Sequence, residues 1–219
     1  MIKYFTDNQL LNVRKKILYD GGMNPQHYPW RTPHYKWHGL LAEILLQRTR
    51  AGNVVPIYNQ FIERFSSPLE LAKTDLVEIE MLLYPLGLKW RAKWIKKLGW
   101  ALAENGLPSS LESLLLLPGI GQYSANAFLA FHSNHRALLI DSNTTRFLCR
   151  LAGVEYNGEI RRESWVSSFL DKITPQRNSK VFNTAFLDFT MVVCKPSSPE
   201  CLKCSLARTY CTFTRPIDL

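Results

Sequence analysis

The sequence predicts an all-α protein. Apolar residues recur three and four positions apart in segment after segment, and those segments are separated by Gly, Pro and Ser clusters. No stretch shows the period-two alternation of a half-buried strand. With 219 residues and 46% apolar content, the chain is long enough to bury a real core. It has no repeat longer than a helical hairpin, no low-complexity tract and no long linker, so any second domain must share the chain closely with the first.

Leu10, Val13, Ile17 and Leu18 give a first helix over 7–20, with Asp7 as N-cap and Gly21-Gly22 as its end. Three prolines in residues 23–36 read as an irregular, aromatic-rich loop. A helix over 37–50 follows, with Leu40, Leu41, Ile44 and Leu45 on its apolar face, broken by Ala51-Gly52. The next helix spans 53–65, with Pro56 near its first turn. A short helix at 69–73 follows Ser66-Ser67-Pro68, and Asp75 caps another through Leu83. After the turn at Pro85-Leu86-Gly87, residues 89–104 form a two-faced helix. Trp90, Trp94, Leu98 and Ala101 make its expected core stripe, and Lys89, Lys93, Lys96 and Lys97 lie mostly off it, as a solvated face or as phosphate contacts. Ser109 and Glu112 form a capping box before the next short helix. Further helices are expected at 122–132, 143–152, 160–173 and 178–193.

A formal net charge of +9 and a pI near 9.4 favour a polyanionic partner such as nucleic acid, although a basic soluble protein with no such partner has the same balance. No run reaches the roughly 18 apolar residues of a membrane span. The N-terminal MIKYFTDNQLLNVRKK lacks the apolar centre of a signal peptide. No membrane partner is expected, and the expected location is the cytoplasm, at the nucleoid.

Three constellations carry chemistry. The first is Leu114–Arg146, where an apolar run stops at Pro118-Gly119-Ile120-Gly121 and a small-residue helix starts at Gln122. Such a turn can aim backbone N–H groups at a phosphate, helped by the positive end of the helix that follows. Helix-hairpin-helix turns bind duplex backbone in this way, often with a monovalent cation, without reading sequence. A second apolar run, Ala137 to Ile140, ends in Asp141. The second constellation is Cys194, Cys201, Cys204 and Cys211, four thiols within eighteen residues. In a reducing compartment they point to a metal centre. The central C-x2-C with one distant cysteine on each side suits an iron–sulfur cluster, and zinc stays open on spacing alone. The third is Trp37–Ala51, where Glu43 lies on an otherwise apolar helix, as a salt-bridged carboxylate or as an acid whose pKa is raised by burial. Gln47, Arg48 and Thr49 follow, within reach of DNA. Two carboxylates in different surroundings beside a phosphate grip suggest cleavage of a nucleotide's glycosidic bond, which requires flipping the base out of the stack.

These motifs resemble the helix-hairpin-helix DNA glycosylase superfamily, the group of endonuclease III and the MutY adenine glycosylases. The likeness covers nearly the whole chain through Tyr28-Pro29-Trp30-Arg31, Glu43 to Thr49, Leu117 to Asp141 and the cysteine loop. It implies a [4Fe-4S] cluster, with one extra residue in the outer gap of the loop, and two helical domains. Residues 25–135 would form a six-helix domain with the hairpin, and 1–24 plus 136–219 the cluster domain, with Asp141 and Glu43 on opposite walls of a cleft. Bifunctional members carry a lysine two residues after the second hairpin glycine. Here that residue is Tyr123, so no Schiff base can form and a monofunctional enzyme is expected. Tyrosine there is similar to the G:T mismatch thymine glycosylases. Ala51-Gly52, Leu86-Gly87-Leu88, the absence of glutamine after Phe182-Asn183, and a chain that stops soon after Cys211 lean the same way. Gln47 is closer to the adenine enzymes, and Thr184 differs from the leucine expected of the thymine enzymes.

The resemblance implies an enzyme of base excision repair that acts as a monomer on duplex DNA containing a mispair and releases thymine or uracil opposite guanine. Glu43, Tyr123 and Asp141 would carry the chemistry. Gln47, Arg48, Leu88, Pro118, Gly119, Ile120, Gly121, Gln122 and Asn143 would contact DNA, with Arg48 and Leu88 as wedges. Lys195 and Lys203 of the cysteine loop are further phosphate candidates. The alternatives are an adenine glycosylase acting on A:G or A:8-oxoguanine, a glycosylase–lyase, and a non-catalytic damage binder.

Overall fold

Thr6, one residue before the expected cap, opens the first helix. Its hydroxyl accepts from Gln9 N at 3.3 Å while the Gln9 side chain accepts from Thr6 N at 2.8 Å, a reciprocal pair that satisfies two orphan donors. A computed structural model describes residues 5–214. The outermost residues of the domain expectation, 1–4 and 215–219, lie outside the described residues. Eleven α-helices and no strand occur among the described residues, as an all-α class requires. The chain divides into two compact units. One holds the residues up to Gln26 with those from Asn134 onward, and the other is His27–Ser133.

The first unit packs α1 (Asp7–Gly22), α9 (Ser142–Ala152), α10 (Ser164–Ile173) and α11 (Ser179–Asp188) around Leu10, Val13, Ile17, Phe147, Phe169 and Phe186. Each such side chain contributes roughly 1.5–3 kcal/mol on burial. The helix ends on Gly21-Gly22, as expected. Gly21 also meets α11, and a Cβ there would sit 1.9 Å from the Ala185 carbonyl oxygen. Gly21→Ala therefore forces the two backbones apart. We expect a loss of about 2–3 kcal/mol despite alanine's better helix propensity, read from the urea midpoint. Gly22→Ala, which meets nothing within 4 Å, serves as the control. The helix expected over 178–193 instead leaves α-geometry at Phe189 and makes one π-helical turn through Val193, immediately before Cys194.

The second unit carries a short 3-10 turn at Pro29–Arg31, then α2 (Trp37–Leu46), α3 (Ala51–Arg64), α4 (Pro68–Lys73), α5 (Leu76–Leu83), α6 (Ala92–Asn105), α7 (Leu111–Leu115) and α8 (Gln122–His132). Asp75 caps α5 as expected, accepting from Val77 N at 2.9 Å. Ser110, not Ser109, caps α7, accepting from Ser113 N at 3.2 Å.

Two larger differences bear on function. The helix expected over 37–50 stops at Leu46, because Gln47 turns extended and Arg48 takes the left-handed region at φ 55°. Ala51-Gly52 then opens α3 and breaks nothing. The stripe expected on this segment is core only in part. Leu98 is fully buried, but the inward face runs through Arg91, Ala92, Ile95, Leu98 and Leu102, one position on from Trp94. Trp90 and Trp94 are left 54% and 36% exposed.

Candidate active site

In the second unit, one of the two candidate carboxylates lies on α2. Glu43 lies on this helix among Leu40, Leu41, Ile44 and Leu45, all fully buried, and is itself only 6% exposed. Past the helix end, the Gln47 amide points back into the protein. Its Nε2 donates to the Gly119 carbonyl at 2.8 Å and to Ser124 Oγ at 3.3 Å. Gln47 therefore ties the end of α2 to the hairpin. Arg48 is exposed. Beneath it, the buried guanidinium of Arg91 donates to the Ile44 carbonyl at 2.8 Å and to the Gln47 carbonyl, satisfying acceptors that the end of α2 leaves open.

At the hairpin, Pro118 and Gly119 are partly exposed, Ile120 is buried, and Gly121 and Gln122 face solvent. Gly119 sits at φ 77°, the left-handed conformation that favours glycine, and its missing Cβ would lie 3.2 Å from the Trp94 ring. Gly121 is the extended N-cap of α8, whose first N–H groups have no partner within the helix. Tyr123, in that first turn, is partly buried. Leu88 is also partly buried, in the turn between α5 and α6.

One buried histidine of α2 was not singled out from the sequence. His38 is 2% exposed, and neither ring nitrogen has a hydrogen-bond partner among the described residues. Burial, followed by the charge of His34, pulls its pKa down to about 4. The neutral ring is thus the folded form, while the unfolded chain takes up a proton near the ordinary value of about 6.5. Between those values the unfolded state binds more protons, so stability falls as the pH drops. From about pH 7 to about pH 5 the expected loss is roughly 2 kcal/mol. Urea unfolding of wild type and His38→Phe should differ by that much in their pH dependence, and parallel curves would show that His38 carries no such linkage.

The first unit supplies Asp141 as the N-cap of α9. Its Oδ1 accepts from Asn143 N at 2.9 Å and Thr144 N at 2.8 Å, and Oδ2 accepts from Asn143 Nδ2 at 3.4 Å. Asn143 in turn accepts from Arg146 Nη1 at 3.0 Å, and Arg146 Nη2 donates to the carbonyls of Thr190 and Cys194, each at 3.0 Å. The carboxylate is thereby fixed in orientation on the π-helical turn and the start of the cysteine loop.

Cys194, Cys201, Cys204 and Cys211 line one cavity, walled also by Phe147, Phe189, Val193 and Leu206. Burial raises the Cys201 and Cys211 thiols and lifts Cys204 to about 11. A bound cation reverses that preference and makes thiolates. Arg150 Nη1 lies 3.4 Å from Cys194 Sγ and donates to the Lys195 carbonyl at 2.7 Å. Among the described residues, no three His, Cys, Asp or Glu side chains are placed to hold a single metal ion. All four thiols nevertheless line the same cavity, as a thiolate-held centre would require. Lys195 and Lys203, expected as phosphate contacts, both pair with Glu200, at 2.7 and 3.5 Å.

Sequence reading brought forward Glu43, the hairpin, Tyr123, Asp141 and the thiols, and missed the arginines that hold them. Arg91, Arg146 and Arg150 look like surface charges in sequence. The one available signal was the i, i+4 spacing of Arg146 and Arg150, two like charges on one helix face that need partners from elsewhere.

No helix of the described residues is long and apolar enough to cross a membrane. A family model described as "HhH-GPD superfamily base excision DNA repair protein" matches residues 41–168. A thymine/uracil-DNA glycosylase of Pyrobaculum aerophilum is 35% identical over 194 residues, covering 84% of this chain and 84% of that one. An adenine DNA glycosylase of Buchnera aphidicola subsp. Baizongia pistaciae is 33% identical over 185 residues, covering 83% of this chain but 52% of that one. Among solved structures, a thermostable thymine-DNA glycosylase aligns with a TM-score of 0.86 at 27% identity, over 94% of this chain and 97% of that one. By its family match, its relatives and its helical fold, the chain belongs to the HhH-GPD superfamily of base excision DNA repair proteins.

Proposed function

We propose that this chain is a monofunctional DNA glycosylase that hydrolyses the N-glycosidic bond of thymine or uracil opposite guanine in duplex DNA. The observation that carries the reaction class is Asp141, a carboxylate held in one orientation by two backbone N–H groups and the Asn143 amide. Such a group, ionised, stabilises the oxocarbenium-like sugar and guides the attacking water. Glu43, buried on an apolar helix, assists the leaving base by proton donation or by orienting water. Tyr123 lines the base pocket where an amine would make the enzyme a lyase. The relative covered to 84% supports thymine or uracil over adenine as the target.

Pro118, Gly119, Ile120, Gly121 and Gln122 grip the phosphate backbone, with a monovalent cation at the turn carbonyls, and Asn143 adds a phosphate contact beside Asp141. Arg48 and Leu88 fill the gap left by the flipped base. The four cysteines would hold a [4Fe-4S] cluster, which would tie together the loop from Cys194 to Cys211. The protein acts as a monomer at the nucleoid.

A panel of mispaired duplexes tests the reading. Base release is expected at G:T and G:U, with strand breaks only after alkali and no borohydride-trapped adduct. Release from A:8-oxoguanine with G:T untouched would overturn the choice of base. A trapped adduct would overturn monofunctionality, and binding without release from any duplex would leave only a damage binder.

A further inference from the structure

The outward face of α6 is unusual for a soluble helix. Trp90, Trp94 and Trp100 are 54%, 36% and 39% exposed, and Lys93 and Lys97 lie exposed between them. Exposed indoles are normally covered, because each presents a large apolar area to water. From Met81 to Ala103 the chain has no acidic residue, against four lysines and one arginine. Trp90 and Trp94 meet edge to face with ring centroids 4.8 Å apart, so neither ring is a stray side chain. The strip also abuts the hairpin, since Trp94 is the ring that a Cβ on Gly119 would touch at 3.2 Å. Arg91, beside the Trp90 ring at 5.0 Å, is the residue that holds the Gln47 carbonyl next to Arg48.

We infer that Trp90 and Trp94, with Lys93 and Lys97, form a stacking strip for unstacked nucleotides beside the hairpin, a second contact with a DNA strand whose bases have lost their partners. Aromatic rings interleaved with cations suit single-stranded nucleic acid, in which any base can stack on the ring while the lysines follow the phosphates. A surface built for an apolar protein partner has no need of so uniform a positive charge, and stacked bases inside an intact duplex offer the indoles no face. The inference rests on the DNA reading above and deepens it. The strip would add affinity for distorted or locally opened DNA, where a flipped base leaves neighbours unstacked.

The full chain is titrated with single-stranded oligothymidine and with a fully paired duplex of the same length, following tryptophan emission and anisotropy of a labelled strand. Trp90→Ala, at the most exposed ring, should weaken oligothymidine binding about tenfold, with a much smaller change on paired duplex. Trp94→Phe, which keeps a ring against Gly119, should lose less. Lys97→Ala should reduce the salt slope on the single strand by about 0.7. Equal affinity of Trp90→Ala and wild type for oligothymidine overturns the strip, including the case in which the indoles serve a protein partner. Loss of single-strand affinity in a protein that releases no base leaves the strip standing and removes the glycosylase reading, so the two failures are distinguishable.

Discussion

Asp141→Asn should lower single-turnover base release by about 10²–10⁴-fold while leaving the fold and DNA binding close to wild type. Asparagine is as good an N-cap as aspartate, so the bonds from Asn143 N and Thr144 N survive the change. The stability change should stay within about 0.5 kcal/mol. On the proposed mechanism, what disappears is the negative charge that would face the developing positive charge on the sugar. Asp141→Ala provides the contrast, because it loses the cap as well and should cost about 1 kcal/mol in unfolding experiments. Retained turnover in the asparagine variant, with the cap intact, would remove Asp141 from the chemistry and leave it a purely structural residue.

Legibility in the sequence followed from how local each signal was. Helix positions were readable because apolar spacing and caps such as Asp75 are local, and their errors were confined to boundaries that distant residues set. Thr6 displaced Asp7 as cap because Gln9 could complete the reciprocal pair. Gly21 could be read only as a helix end, because the backbone it meets, at Ala185, is more than 160 residues away. The same logic holds for the site. The hairpin, Tyr123 and the four thiols are contiguous motifs, each with its own chemistry, and could be named without a fold. The inward turn of the Gln47 amide towards Gly119 is a contact across 72 positions, and no spacing rule reports it. Trp90 and Trp94 misled for a related reason. Tryptophan at helical spacing is most simply core, but the buried face of α6 is centred on Ile95, Leu98 and Leu102, which leaves Trp94 at its edge and Trp90 outside.

Arg91→Met should destabilise the His27–Ser133 unit by about 3–5 kcal/mol and abolish most activity without touching a catalytic group. Arg91 is 1% exposed, and burial pulls its pKa below the ordinary arginine value, so holding the charge there has a real cost. That cost argues that methionine could be neutral, as when buried ions are exchanged for apolar side chains of similar volume. Those exchanges remove every partner at once, whereas here the partners are backbone carbonyls that remain. Ile44 O would keep only the long bond from Gln47 N at 3.4 Å and Gln47 O only the Thr49 hydroxyl at 3.2 Å, so each loses a charge-assisted donor worth about 1.5–3 kcal/mol, and the favourable interaction of a cation with the C-terminal end of α2 would go as well. The lost charge-assisted bonds therefore outweigh the recovered desolvation. Relaxing those carbonyls means unwinding the last turn of α2, which carries Glu43 at one end and leads into Gln47 and Arg48 at the other. Arg91→Lys keeps the charge but not the fork, reaches one carbonyl at a time, and should fall between methionine and wild type. Thermal unfolding and single-turnover base release, measured on both variants, should drop together and in that order. A stable, active Arg91→Met protein would show that α2 holds its end without the guanidinium.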